Sequence, residues 1–471
     1  MISPEMIKKR YFEGWKGESK IKRKKMKQWI AFLRSRPALP FVILFLILLY
    51  PDRARPQITE PGNPVLEFTN GRWFDGNVFR EKTVYVVNGL ISFHSARHFD
   101  RVIDLSGGFV VPPFGEAHNH NVEPNKIDAL IERYLQHGIF YIKNPNNLPN
   151  GRNQVLSKIN RSNSIDVTFS NGGFTGIGGH PAEIVQRNIA RGIWTESDGD
   201  GAFYYAVNSR AEVQEKWVQF LATKPDFVKT YLLYSEEYEQ RKDDPKYFGW
   251  RGLGPDLLQM IVAKAHASNL RVSTHIESAA DFHTALLAGV DEINHMPGFR
   301  YRDDVKPHQL SEFEITDSDA KRAAKQGTVV VTTLGGTAKV DPHGKDAALR
   351  ERWDELNRQN LSVLKRHHVK LALGSDSYRE DSVPESAYID SLHVFDPPSL
   401  LNIWCKTTAR TIFPLRSVGE LREGYEASFL VLSADPLHDF GATQKIRLRV
   451  KQGHIIEIHD LPPGSATKSG N

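Results

Sequence analysis

The chain has almost no cysteine: Cys405 is the single one in 471 residues. That excludes an intrachain disulfide and leaves the redox compartment undetermined. Apolar runs of membrane-spanning length are lacking too. The run ALPFVILFLILLY at residues 38–50 is shorter than the ~20 apolar residues an ordinary spanning helix needs. Past residue 36 there is no excess of basic charge. The formal charge of +5 arises in residues 1–36, which hold twelve Lys/Arg against three Glu, while the remainder holds 49 basic and 53 acidic residues. With no glycine-rich phosphate loop and no basic-aromatic stripe either, no nucleic-acid partner is expected. No internal repeat appears, and nothing is of low complexity beyond the basic leader.

What is present begins with that leader, residues 1–37, followed by the hydrophobic run 38–50. A positive stretch ahead of a short apolar core of ~7–15 residues fits a secretory signal. PDRARPQ, which follows, is a poor cleavage site, so an uncleaved membrane anchor through 38–50 is the alternative. Pro40 and Pro51 bracket the run and argue against a buried core helix. Either way the body is expected outside the cytoplasm, in the periplasm if the source is bacterial. Residues 51–64 read as a proline-rich linker.

From residue 65 the pattern is strand-rich: VLEFT, TVYVVNGLISF and RVIDL, with turns at Asn-Gly and Gly-Gly. From 113 strands and helices alternate. The strand runs IFYIKN, IDVTFS, DFVKTYLLY, RVSTH, DEINH, TVVVTTL and KLALGSD follow GGFVVPP, with amphipathic stretches such as KIDALIERYLQHG and LLQMIVAKAHAS between them. Gly138 is a candidate C-cap for the first helix. Eight such strands with intervening helices predict an α/β fold, a (β/α)8 TIM-like barrel over 113–395. The chain then returns to strands in SFLVL and IRLRVKQGHIIEI, after a last helix in LLNIWCKTTAR.

Chemistry-bearing residues cluster at or just past the ends of these runs. They are His118 and His120 in FGEAHNHN, Lys229 in FVKTY, His275 in VSTHIES, His295 in INHMPG and Asp376 in LGSDS. In His-x-His on a strand, the period of two turns both imidazoles to one side. In a parallel barrel the strand ends converge on one face. Four imidazoles, an amine and a carboxylate there predict a divalent metal that activates water. Zinc suits the imidazole-rich shell, and Mn, Fe, Co and Ni fit as well. Candidate substrate contacts are His180 in the glycine-rich segment GFTGIGGHP, Tyr231 and Tyr234 just past Lys229, and Arg379 just past Asp376.

PPFGEAHNH resembles the signature PGxxDxHxH, and TTARTIFPLRSVGELREGYEASFLVLSADPL resembles TxNPAxxLGxxxxxGxLxxGxxADLVVxxxxPL. These are motifs of the amidohydrolase superfamily, metal-dependent hydrolases on a (β/α)8 barrel. The resemblance spans about residues 65 to 460 and is greatest to the imidazolonepropionase-like and Xaa-Pro dipeptidase subgroup. Pro113, Glu116 and Ser428 depart from the pattern; the first two touch no ligand position, and Ser428 puts a structural contact in doubt. The resemblance implies a small β-sandwich built from both ends, residues 65–112 and 396–471, the latter including the last barrel helix. It implies two metal ions, one on His118, His120 and Asp376 and one on His275 and His295. Lys229 would bridge them as a CO2-derived carbamate, and Asp376 would also shuttle the proton. The implied reaction is hydrolysis of a C–N bond in an amide, a dipeptide or a cyclic amide. Ester or lactone hydrolysis, and ring opening at a single metal in the imidazolonepropionase manner, are the alternatives. A non-catalytic envelope binding protein with a relic site is the reading from another class. The partner is a small-molecule or dipeptide substrate, and a homo-oligomer stays open.

Overall fold

The computed structural model describes residues 64–299, 309–335 and 346–457. The basic leader, the run 38–50, the linker through 63 and the tail 458–471 lie outside the described residues. Among the described residues, no helix is long and apolar enough to cross a membrane.

The first strands are Leu66–Phe74 (β1), Phe79–Val87 (β2), Leu90–Ser92 (β3), Arg101–Asp104 (β4) and Phe109–Val111 (β5). Alternation is visible in β1, where Leu66 and Phe68 are buried and Glu67 and Thr69 only partly so. The array that follows comprises Phe114–Glu116 (β6), Ile139–Asn144 (β7), Asp166–Phe169 (β8), Gly173–Thr175 (β9), Tyr204–Ala206 (β10) and Val228–Tyr231 (β11). It continues with Val272–His275 (β12), Glu292–Asn294 (β13), Val329–Val331 (β14) and Lys370–Ala372 (β15). The chain closes with Phe429–Leu432 (β16), Ile446–Lys451 (β17) and His454–Ile455 (β18).

Both ends of the described chain share one sheet, ordered β18-β17-β16-β5-β1-β2-β3, with β4 beside β1. Strand β5 is the joint, parallel to β1 and antiparallel to β16. Phe429 meets Phe68 and Trp73 edge-on, each at 5.0 Å, in the core of this sheet.

The middle of the chain is mixed α/β with parallel sheets. One runs β6-β7-β8 and the other β10-β9-β11-β12-β13-β14-β15. Every residue of β7, β11, β12, β13 and β14 is buried, as expected of parallel strands covered on both faces. Helices supply the cover. Pro255–Ala267 buries Leu257, Leu258, Ile261, Val262 and Ala265, one stripe of a 3.6-residue period. Gly138 follows the helix Ile127–Gln136 at φ +74°, the left-handed geometry in which glycine ends helices without strain. Two hydrogen bonds join the two parallel sheets. Ala117 N–H donates to the Leu373 carbonyl (2.8 Å), and Asp226 N–H donates to the Phe169 carbonyl (2.8 Å).

Three elements depart from the sequence reading. The third strand run, read as ending at Ser170, resumes as β9 after Asn171 and Gly172 take φ of +56° and +94°. A Cβ on Gly172 would sit 2.6 Å from the Ala202 carbonyl, so this break needs glycine. Strand β10 was not anticipated; it is a three-residue edge strand beside β9. The helix in LLNIWCKTTAR contains a π-helical turn over Asn402–Thr407, where Thr408 Oγ1 donates to the Ile403 carbonyl at 2.7 Å. Such turns arise from local hydrogen-bond competition that hydrophobic spacing does not reveal.

A buried ion network ties the parallel array to the end sheet. Asp166 of β8 accepts from Lys451 Nζ of β17 (2.6 Å) and Arg416 Nη1 (2.8 Å), and Arg416 Nη2 donates to Glu426 (2.6 Å). Ser428, where the motif has aspartate, donates to the same Glu426 carboxylate at 2.7 Å. Burial alone would raise the Asp166 carboxyl; Lys451 and Arg416 outweigh it and hold it below the ordinary carboxylate range. Asp166→Ala should therefore cost about 3–5 kcal/mol in urea unfolding at neutral pH, because the fully buried Lys451 loses its carboxylate partner. A carboxyl lowered on folding stabilises above its unfolded value of about 3.9, and that contribution fades as pH falls through the folded value. The gap between wild type and variant should accordingly narrow below about pH 4.

Candidate metal centre

Strand β6 delivers His118 and His120 just past its end, and β15 delivers Asp376. The two imidazoles converge: His118 Nε2 lies 3.4 Å and His120 Nε2 3.1 Å from Asp376 Oδ1. Ligand atoms of these three residues all lie within 4.8 Å of one another, a group able to hold a metal ion. The backbone enforces the meeting, since Asp376 N–H donates to the His118 carbonyl at 2.8 Å. Gly374 permits the approach. A Cβ there would fall 2.8 Å from both His118 N and His118 Cβ.

The imidazoles suit ligation. Burial pushes the His118 ring down to about 3, and the Lys229 ammonium adds to this against the pull of Asp376. A neutral imidazole keeps a lone pair for a metal. His120 Nδ1 is 2.9 Å from the Pro145 carbonyl. That contact requires the proton on Nδ1, so ligation by His120 would fall to Nε2, the atom facing Asp376.

The remaining predicted residues extend this group as a chain of rings. His295 lies 4.7 Å from His118, His275 4.5 Å from His295, and His180 5.1 Å from His275, between ring centroids. Tyr231 stands 5.3 Å from His180 and 5.6 Å from His275. Lys229 is buried in β11, not at its end. Its Nζ donates to Asn294 Oδ1 at 2.6 Å and lies 5.3 Å from the Tyr231 ring. His275 Nε2 contacts Glu277 Oε1 at 3.1 Å. Tyr234 and Arg379 make other contacts. The Tyr234 ring stacks under the Arg241 guanidinium at 4.1 Å in a satellite core. Arg379 is exposed, and its carbonyl accepts from Arg133.

Several supporting residues went unread in the sequence. Thr333 Oγ1 contacts His295 Nδ1 at 2.6 Å, and Phe299 stacks on the His295 ring at 3.8 Å. Glu183 contacts His180 Nδ1. Asn294 belongs to a buried network in which its amide and Ser273 Oγ donate to Glu292 Oε1, while Lys143 and Thr411 donate to Glu292 Oε2. Burial would raise Glu292, but Lys143 outweighs it and the carboxyl is held at about 2. None of these has a motif. The one available signal was a polar residue inside an otherwise apolar strand, as in Lys143 of IFYIKN and Glu292 of DEIN.

The site also holds left-handed backbone at residues other than glycine: His295 at φ +80°, Thr333 at +48° and Asp376 at +49°. Each costs of order 1–3 kcal/mol and persists only where its surroundings over-determine it.

No protein-family sequence model matches the chain, and no curated protein sequence does. Solved structures do match. An amidohydrolase is 19% identical with a TM-score of 0.64, covering 84% of this chain and 100% of that one. The ochratoxinase of A. niger is 16% identical with a TM-score of 0.64, covering 83% of this chain and 95% of that one. A prolidase complexed with N-methylphosphonate-L-proline is 17% identical with a TM-score of 0.62, covering 84% of this chain and 100% of that one. The chain shares the fold of these structures. At these identities the likeness is one of fold, and the residues of the site speak for the chemistry.

The close approach at Gly374 is directly testable. Gly374→Ala should destabilise the protein by about 1–3 kcal/mol in chemical denaturation, since the methyl meets backbone and Cβ rather than a flexible side-chain end. It should also weaken whatever divalent-metal retention the wild type shows on dialysis, because the segment carrying His118 must shift. Unchanged stability and retention would contradict the packing described.

Proposed function

We propose that this chain is a metal-dependent amidohydrolase that cleaves a C–N bond in an amide, dipeptide or cyclic amide. The observation that carries the reading is the convergence of two strand-borne imidazoles, one buried and neutral, on the Asp376 carboxylate. That donor set is the one zinc and its first-row neighbours take. The proposed frame is a closed (β/α)8 barrel, supported by the bonds from Ala117 to Leu373 and from Asp226 to Phe169. The sheet shared by both ends would be the small β-sandwich.

In this reading His118, His120 and Asp376 hold one ion. His275 and His295 would hold a second, with Lys229, as a carbamate, shared between the two. When bound, the metal supplies a water deprotonated near neutral pH and a polarised scissile carbonyl. The protein does the rest. Asp376, part-exposed beside the histidines, takes the proton of the attacking water and hands it to the leaving nitrogen. His180 and Tyr231, which border the ring chain, orient the substrate. The fold neighbours include an ochratoxinase and a prolidase holding a proline phosphonate, which makes N-acyl amino acids and dipeptides the classes to assay. The partner is thus a small molecule or dipeptide. The chain acts outside the cytoplasm, exported or anchored through residues 38–50.

A single-ion ring hydrolase is the second reading. One observation favours it: among the described residues, His118, His120 and Asp376 are the group found within mutual ligating distance, while Lys229 Nζ is held by Asn294.

Elemental mass spectrometry of the full chain, supplied with bicarbonate and zinc, decides between them. The two-ion site should show about two ions per chain, falling in Lys229→Ala. A content of about one ion, insensitive to Lys229, would establish the single-ion form, and no retained metal would sink both. Asp376→Asn should cut turnover on whichever amide is cleaved by at least ~10²-fold. Undiminished turnover would remove the proton shuttle.

A further inference from the structure

Between the two proposed ligands sits Asn119, and its contacts are different ones. His118 and His120 meet the Asp376 carboxylate, whereas Asn119 bonds to the residues on either side of it. Asn119 is fully buried. Its Nδ2 donates to Ser375 Oγ at 2.6 Å and to the Glu380 carbonyl at 2.8 Å, and its Oδ1 accepts from Asn121 N–H at 2.8 Å. Both amide hydrogens and the carbonyl are therefore used.

Those two acceptors flank Asp376, one residue before it and four after. Asp376 itself is in left-handed backbone at φ +49°. A residue so strained relaxes unless its neighbours are held. The surrounding ties run along the same seam. Ser375 N–H donates to Glu116 Oε1 at 2.8 Å, His120 N–H to the Ser377 carbonyl at 3.2 Å, and Asn121 Nδ2 to the Glu380 carbonyl at 3.1 Å. Asn119 is the side chain that grips the segment on both sides of the carboxylate.

We infer that Asn119 is a positioning residue that sets the backbone carrying Asp376, and hence the placement of its carboxylate against His118 and His120. This rests on the metal-site reading above. Asn119 touches neither substrate nor reacting atoms. It acts through Asp376.

The test needs no substrate. Cobalt(II) is titrated into the full chain, and its visible spectrum reports the geometry of the ligand set. Wild type is compared with Asp376→Asn, Asn119→Ala and Asn119→Asp. The aspartate variant keeps the volume and the acceptor for Asn121 N–H but sets a buried oxygen against the Glu380 carbonyl, so it is the more disruptive of the two, and circular dichroism establishes the folded fraction of each before titration. Both Asn119 variants should bind cobalt at least ~10-fold more weakly, as expected when an outer partner of a ligand is lost. Their spectra should shift from wild type in the direction of Asp376→Asn. A substitution that merely lowered stability would leave the spectrum of the folded fraction unchanged. A folded Asn119 variant with wild-type affinity and spectrum, alongside an altered Asp376→Asn, overturns the positioning role alone. Failure of wild type to bind cobalt overturns the metal reading, and this inference with it.

Discussion

The structure depends on one seam of hydrogen bonds between the segment after β6 and the segment after β15. It joins Ala117 to Leu373 and His118 to Asp376 through the backbone, and Asn119 to Ser375 across a sequence separation of 256. Closing so long a loop is entropically unfavourable, and no single bond offsets it. The consecutive ties do so together with the buried parallel strands they edge. The seam also brings the first two donors to the last one, so fold and site share one constraint.

Electrostatics follows from that burial. Desolvation together with the nearby lysine keeps His118 neutral, the form able to donate a lone pair to a cation. The charges that remain below it are compensated: Lys143 faces Glu292, and Lys451 and Arg416 face Asp166. Such pairs gain little over apolar packing, but losing one partner is costly. Each joins elements far apart in sequence, as when Asp166 of β8 meets Lys451 of β17. Strain is placed on this frame. His295, Thr333 and Asp376 keep left-handed backbone because neighbouring strands hold them.

Much of this was legible in the residues. The parallel strands announced themselves as short β-branched and apolar runs, for burial on both faces demands continuous hydrophobicity. Gly138 marked a helix end. The spacing of His118 and His120 placed two imidazoles on one side. Other features were hidden because they are relations rather than patterns. Lys229 sits within its strand on Asn294, Tyr234 turns to Arg241, and β8 and β9 are two pieces of one run, divided at Asn171 and Gly172. Each depends on a partner outside its own run.

By itself, the sequence determined the alternation of strand and helix and the residue types at the strand ends, because periodicity and burial are local properties of a chain. Only the tertiary structure decided which of those residues meet. It set two histidines against Asp376, drew His295, His275 and His180 into a line of rings, placed Lys229 on Asn294, and left Arg379 exposed. Those distances come from strand register and from the close approach at Gly374, and they arise only when the whole array is assembled.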